Sequence, residues 1–166
     1  SLLEAQAKLD AVLDSMELAL WSFTPEMDAT LFVSASTEKI FGRDAEDFRL
    51  QPRLWLEMAQ PDDRPQAEAM LERVLQAGAG VIEYRIVRPE GNLLWVEIRW
   101  RHASDAQGRR IRLDGIACDI TERKLAEEEN RQLLALVEQS RNEIYVFDAV
   151  TLRYEYANAG ALLNLG

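Results

Sequence analysis

One cysteine and one histidine are all that this chain of 166 residues holds of two side chains much used as nucleophiles and metal ligands. Cys118 alone cannot close a disulfide within the chain, and neither residue has companions for a multi-cysteine metal site. That fits a reducing compartment, and the cytosol is the expected location. No apolar run is long enough to cross a bilayer and there is no low-complexity tract, which sets aside membrane insertion of this fragment and disorder. Basic residues are scarce, 19 Lys and Arg against 29 Asp and Glu for a formal net charge of −10. Such a surface repels phosphate backbones, so nucleic acid is not an expected partner. No leader pattern is present; the chain opens at Ser1 without an initiator methionine and stops at Gly166 after an apolar stretch. Both ends read as cuts within a longer polypeptide, which is free to carry a membrane anchor elsewhere.

What is present is a globular mixture, 48% hydrophobic and 29% charged, with mass for one full domain and part of another. Residues 1–16 set Leu2, Ala5, Leu9, Val12, Leu13 and Met16 at spacings of three and four, the stripe of an amphipathic helix. Leu18 to Phe23 and Thr30 to Val33 read as a hairpin, because Pro25 and Asp28 between them favour a turn. Short helical pieces follow around Gly42 and Pro52. A longer helix is expected from Pro61 to about Ala77, with Pro61, Asp62 and Asp63 in its first turn. Three strands come next, separated by Pro89-Glu90-Gly91-Asn92 and Asp105-Ala106-Gln107-Gly108, turn sequences that make an antiparallel meander. Alternation sets Ile82, Tyr84, Ile86, Leu94, Val96, Ile98 and Trp100 toward the core, and Glu83, Arg85, Glu97, Arg99 and Arg101 away from it. A second helix runs from Thr121, its expected N-cap, to about Ser140.

The chain also repeats itself. Leu18-Ala-Leu-Trp-Ser-Phe23 and Asn142-Glu-Ile-Tyr-Val-Phe147 open segments of equal length that end in Ile40-Phe41-Gly42 and Asn164-Leu165-Gly166. Each follows an apolar helix and runs aromatic strand, turn, second strand, small-residue helix, so one fold is begun twice.

Trp55 through Pro61-Asp62-Asp63-Arg64, Glu83-Tyr84-Arg85-Ile86, Gly91 with Trp95-Val96, and above all Gly115-Ile116-Ala117-Cys118-Asp119-Ile120-Thr121-Glu122-Arg123-Lys124 together resemble the PAS domain with its C-terminal PAC motif, found in bacterial sensor proteins. Tyr156-Ala157-Asn158-Ala159-Gly160-Ala161 with Leu165-Gly166 looks like the opening of a second such domain. The resemblance implies an α+β fold: a five-stranded antiparallel sheet with short helices on one face, flanked by N-terminal and C-terminal helices, and a pocket between sheet and helices. It divides the chain into an entering helix (1–17), a PAS/PAC domain (18–120), an exit helix that passes signal state onward (121–141) and the truncated start of a second domain (142–166). An output enzyme such as a histidine kinase or a cyclic-dinucleotide enzyme is expected outside this fragment, which itself is not expected to be an enzyme.

Pocket candidates on this resemblance are Tyr84, Ile86, Val96, Ile98, Trp100, His102 and Ala117, and the coupling turn is Asp119-Ile120-Thr121. That turn joins the last strand to a helix of roughly 30 Å, and a strand end capped by Asp119 and Thr121 is equally compatible with it. Haem-binding relatives carry their axial histidine on the long helix, which here has none, and flavin photosensors use an Asn-Cys-Arg motif that is absent. The positions that hold a flavin ring correspond to Ile86, Val96 and Ala117, three carbon side chains. No cofactor is therefore expected, while an apolar interior with a few polar handles suits a small apolar ligand or a well-packed core alike. Asp62 and Asp63 lack a partner base, and His102 with Ser104 or Asp105 lacks an oxyanion site, so no catalytic residue is assigned. No metal site is assigned either. Gly78 and Gly80 precede a strand, not a helix, which excludes a phosphate cradle.

Two functions stand open: a sensory module that transmits a ligand or partner state, and a ligand-free dimerisation scaffold. A homodimer through the apolar stripe of the first helix is expected. The aromatic residues Tyr145, Phe147 and Tyr156 of the second repeat are expected to be buried against another surface, because an isolated hairpin is marginal in water.

Overall fold

An apolar stripe winds into helix α1 (Leu2–Ser15), and alternation over Leu18–Phe23 makes strand β1, whose Ala19, Trp21 and Phe23 are all buried. The computed structural model describes residues 1–165 and divides into two units, Ser1–Thr121 and the segment from Glu122 onward. In the first unit β1 turns back into β2 (Thr30–Val33), and three short helices follow: α2 (Thr37–Phe41), α3 (Ala45–Leu50) and α4 (Leu54–Glu57). Helix α5 (Arg64–Ala77) ends at Gly78, whose φ of +92° is the left-handed conformation that stops a helix at little cost only for glycine. The meander β3 (Ala79–Val87), β4 (Leu93–Ser104) and β5 (Arg110–Asp119) completes an antiparallel five-stranded sheet in the order β2-β1-β5-β4-β3. First and last strands thus lie side by side, from Leu18 opposite Cys118 to Phe23 opposite Leu113.

The inner face of the sheet packs against the helices in one core. Trp21, Phe23, Ile82, Tyr84, Ile86, Val96, Ile98, Trp100, Leu113 and Ala117 from the strands meet Phe41, Phe48, Trp55, Leu71 and Val74 from the helices. Each large apolar side chain removed from water in this way contributes about 1.5–3 kcal/mol before entropy is counted. Arg99 and Arg101 are exposed on the opposite face, as alternation requires. Beside the outermost strand, Met58–Gln60 forms a partial sixth rung: Gln60 N–H donates to the Arg85 carbonyl at 2.7 Å and Val87 N–H to the Met58 carbonyl at 2.9 Å.

Several expectations need correcting. Helix α5 starts at Arg64, not Pro61, and the proline in its first turn is Pro65; Asp63 flanks the helix but its carboxylate is drawn to β3 instead of capping. Gly80 lies inside β3, where a Cβ would come within 2.6 Å of Val74 Cγ2, so close packing on α5 accounts for it. Glu97 is on the outer face yet only 6% exposed, with the Arg99 Nε donating to its carboxylate at 2.6 Å.

The second unit holds the body of helix α6 (Thr121–Gln139), a hairpin of β6 (Tyr145–Phe147) and β7 (Tyr154–Ala157), and helix α7 (Ala159–Leu165). Asn158 knots it together: its side-chain amide donates to the carbonyls of Val137 and Asn142, both at 2.9 Å. Within this single chain Phe147 is 49% and Tyr154 64% exposed, and Tyr145 and Tyr156 are half-buried. The Tyr154 ring lies tilted against those of Tyr145 and Phe147, with centroids 5.6 and 4.7 Å away, which shields part of each of these three rings.

Candidate functional site

Trp100 sits at the middle of β4 opposite Gly115 of β5, and the missing side chain at Gly115 is what lets the indole lie flat on the sheet. A Cβ there would fall 2.4 Å from Trp100 Cζ3 and 2.8 Å from Trp21 Nε1. Around Trp100 gather Trp55, Phe23 and Trp21, with ring centroids at 4.9, 6.0 and 6.1 Å. The indole N–H groups of Trp21, Trp55 and Trp100 are buried with no hydrogen-bond partner among the described residues.

Of the seven pocket candidates, six fall in this one cluster. Ile86, Val96, Ile98 and Ala117 are fully buried carbon surfaces, and Tyr84 and Trp100 are all but buried. The Tyr84 hydroxyl donates to the Trp55 carbonyl at 2.9 Å, tying β3 to α4, and burial pushes its phenol well above the ordinary range. His102 stands apart, half-buried at the far end of β4. Its Nε2 is 3.0 Å from the Pro25 carbonyl in the β1–β2 turn, and its Nδ1 is buried with no hydrogen-bond partner among the described residues. The ring is thus committed to a turn and not to the cluster.

The coupling turn is a set of short bonds around Trp95. Asp119 Oδ1 accepts from the backbone N–H and the hydroxyl of Thr121, at 2.8 and 2.5 Å, so its carboxylate takes up the N–H of the first helical residue. Thr121 Oγ1 in turn accepts from Trp95 N–H at 3.0 Å, while Ile120 N–H donates to the Trp95 carbonyl at 2.9 Å. Both backbone groups of one β4 residue are therefore held by the two residues that open α6.

Sequence reasoning missed what lies on the other side of Trp95. Asp63 Oδ2 accepts from both the backbone N–H and Nε of Arg85 at 2.9 Å, and its other oxygen takes the terminal nitrogen. The Arg85 guanidinium beside Asp63 holds its carboxyl below the usual carboxylate range against the opposing effect of burial. The same guanidinium lies over the Trp95 ring. The signal available was an acidic pair at a helix start and an arginine on the polar side of the next strand, which names the partners but not their meeting.

Among the described residues no group of three or more His, Cys, Asp or Glu is placed to hold a metal ion, and no helix is long and apolar enough to cross a membrane. The sheet order and the helical layer over one face define an α+β module. Residues 30–117 match the profile of the PAS fold, and the chain belongs to the PAS family, a family of sensory rather than catalytic modules. An uncharacterised protein of Sinorhizobium fredii is 34% identical over 132 residues, 78% of this chain, and the chain spans only 15% of that relative's length. Among solved structures, a sensory box histidine kinase/response regulator of Burkholderia thailandensis superposes with a TM-score of 0.61 at 23% identity, over 80% of this chain and 99% of that one. The N-terminal domain of a diguanylate cyclase with PAS/PAC sensor from Marinobacter aquaeolei gives 0.58 at 17% identity, over 64% and 98%. At those identities the likeness is one of fold.

Proposed function

We propose that residues 18–120 are a regulatory input domain whose state, set by a small apolar ligand or a protein partner, reaches an output domain through the helix that begins at Thr121. The observation that carries this reading is the double hold on Trp95: a shift of β4 against β5 cannot occur without moving the first residues of α6. Asp63 and Arg85 extend the same path to the start of α5, so a rearrangement of the helical layer has a bonded route to that helix. The entering helix 1–17 serves as a homodimer contact, since Leu2, Leu9, Val12 and Met16 are exposed along one stripe. Histidine kinases and diguanylate cyclases are the output classes that the similar structures suggest, working in the cytoplasm.

Flavin does not fit. Ile86, Val96 and Ala117 have neither a side-chain polar atom nor exposed surface, so nothing there can bond the polar edge of the ring. Haem lacks an axial histidine on α5, whose residues include none.

A ligand-free dimerisation scaffold is the second reading, favoured by the near-complete burial of Tyr84, Ile86, Val96, Ile98, Trp100 and Ala117. Native mass spectrometry separates the two. A stoichiometric adduct supports sensing, whereas a ligand-free dimer that survives dilution supports scaffolding.

A further inference from the structure

We infer that the turn between β1 and β2 is a gate over the aromatic core, with Met27 as its plug and the bond from His102 to Pro25 as its fastening. What the gate serves rests on the sensory reading above: it is the way in for a small apolar ligand to a core whose lining side chains are all but fully buried. Met27 stands in the tight connection from Thr24 to Ala29, where chains ordinarily present polar groups to water, and its neighbours Glu26 and Asp28 are exposed. Yet its side chain is only 2% exposed and belongs to the cluster that holds Phe23, Phe48 and Trp55. Its φ is +58°, a left-handed conformation that glycine or asparagine adopts with less strain. The strain is retained because it aims this one flexible side chain inward. Met27 also borders a groove of about 440 Å³ between the turn and the α3–α4 connection at Gln51–Arg53, so the residue that fills the core lies directly behind an open surface.

The turn is bonded to itself far more than to the rest of the molecule. Thr24 N–H donates to the Ala29 carbonyl at 3.0 Å, and the Thr24 carbonyl accepts from Met27 N–H at 2.9 Å. Thr24 Oγ1 accepts from the N–H groups of Asp28 and Ala29, both at 3.1 Å. Among the described residues a single hydrogen bond leaves Pro25–Asp28 for another element, from His102 Nε2 near the end of β4 to the Pro25 carbonyl at 3.0 Å. A carbonyl only accepts, so Nε2 carries the hydrogen. The β1–β2 ladder is irregular immediately before the turn, between Ser22 and Phe23, which supplies a bent pivot. A segment with its own internal bonds, one outside fastening and one plug can swing open while the strands that it joins stay paired.

Hydrogen peroxide footprinting of residues 1–166 tests this, because a methionine is oxidised only where the oxidant reaches its sulfur. Met16, 60% exposed, marks free access, and Met58, 7% exposed in the same core, marks the closed interior. Static burial alone makes Met27 slower than Met58. The gate reverses that order: Met27 is expected to oxidise roughly tenfold or more faster than Met58. His102→Phe, which removes the fastening and keeps a ring, is expected to raise the Met27 rate roughly threefold or more and leave Met58 unchanged. A Met27 rate at or below that of Met58 means that the turn does not open by itself. A rise shared equally by Met27 and Met58 in the variant, or no rise at Met27, means that the bond fastens no separate gate. Each of these results overturns the proposal. The comparison needs no ligand, so its failure leaves the sensory reading standing, and native mass spectrometry tests that reading separately.

Discussion

Arg85 and Trp95 are opposite partners on β3 and β4, and the guanidinium carbon of Arg85 lies 5.5 Å from the centroid of the Trp95 ring. A stacked guanidinium contributes about 0.5–1 kcal/mol at a partly exposed site. The geometric effect matters more, because the Arg85 guanidinium also donates to Asp63 through two of its nitrogens and cannot swing away from the ring without breaking that pair.

Asp63→Asn keeps the shape and removes the charge. A loss of about 1–2 kcal/mol in urea unfolding is expected at neutral pH. Asp63 has its folded pKa lowered by Arg85 from an ordinary 3.8, so the pair stabilises above that value and its contribution fades as pH falls through the lowered one. The gap between wild type and Asp63→Asn should therefore close in acid. A gap that stays unchanged as the pH falls well below the ordinary 3.8 would contradict the ion pair.

Gly115→Ala places a methyl group against Trp100 and Trp21, and both rings are walled in by the core. Overpacking of this kind costs about 1–3 kcal/mol. Thermal unfolding should show a clear fall in Tm together with a changed near-ultraviolet tryptophan signal; an unaltered signal would mean that the rings have room to move.

Thr121→Val removes the acceptor for Trp95 N–H and the donor to Asp119, whereas Thr121→Ser retains both. Exchange at the Trp95 amide should accelerate in the valine variant and return to the wild-type rate in the serine variant, with about 1 kcal/mol separating their stabilities. Equal exchange in both would remove the bonded link between β4 and α6.

Tyr84→Phe leaves the Trp55 carbonyl without its side-chain donor, a cost of about 1 kcal/mol. Burial raises the Tyr84 phenol well above an ordinary 10.0, so its protonated form stabilises fully below that value and this contribution is lost as pH rises toward the raised one. The advantage of wild type over Tyr84→Phe should hold up to the ordinary 10.0 and shrink as the pH rises above it in denaturant titrations.

Leu9→Glu with Val12→Glu puts two charges on the exposed stripe of α1. Sedimentation at high concentration should change from dimer to monomer while circular dichroism stays that of a folded sheet. A double variant that still dimerises would place the contact elsewhere.

Strands were the most legible elements, because a period of two assigns every residue of β3 and β4 to a face once one is placed. Ile86, Ile98 and Trp100 are inside and Arg99 and Arg101 outside for that reason. The start of α5 was misread because Pro61 and Pro65 both suit a first turn, and only the pull of Arg85 on Asp63, 22 residues away, decides between them. His102 has the parity of the core, yet parity ignores where a strand ends, and a carbonyl in a distant turn claims its ring. The Asp119-Ile120-Thr121 turn was legible by resemblance, but its bonds to Trp95 cross between strands and leave no mark in local spacing. The aromatic hairpin was legible as a repeat, whereas its exposure depends on surfaces that a sequence window does not contain.

The partial rung made by Met58–Gln60 along β3 has a consequence for handling the protein. It occupies the outer edge of the long meander, where unpaired amides would otherwise recruit strands from other molecules. Among the described residues β6 has no such protection, pairing only with β7, and it carries ring-bearing side chains of strong β preference. Any fibrous or gel-like deposit that forms on storage should therefore nucleate within residues 142–165, and a lysine placed at Val146 should delay its onset without altering the melting of the first unit.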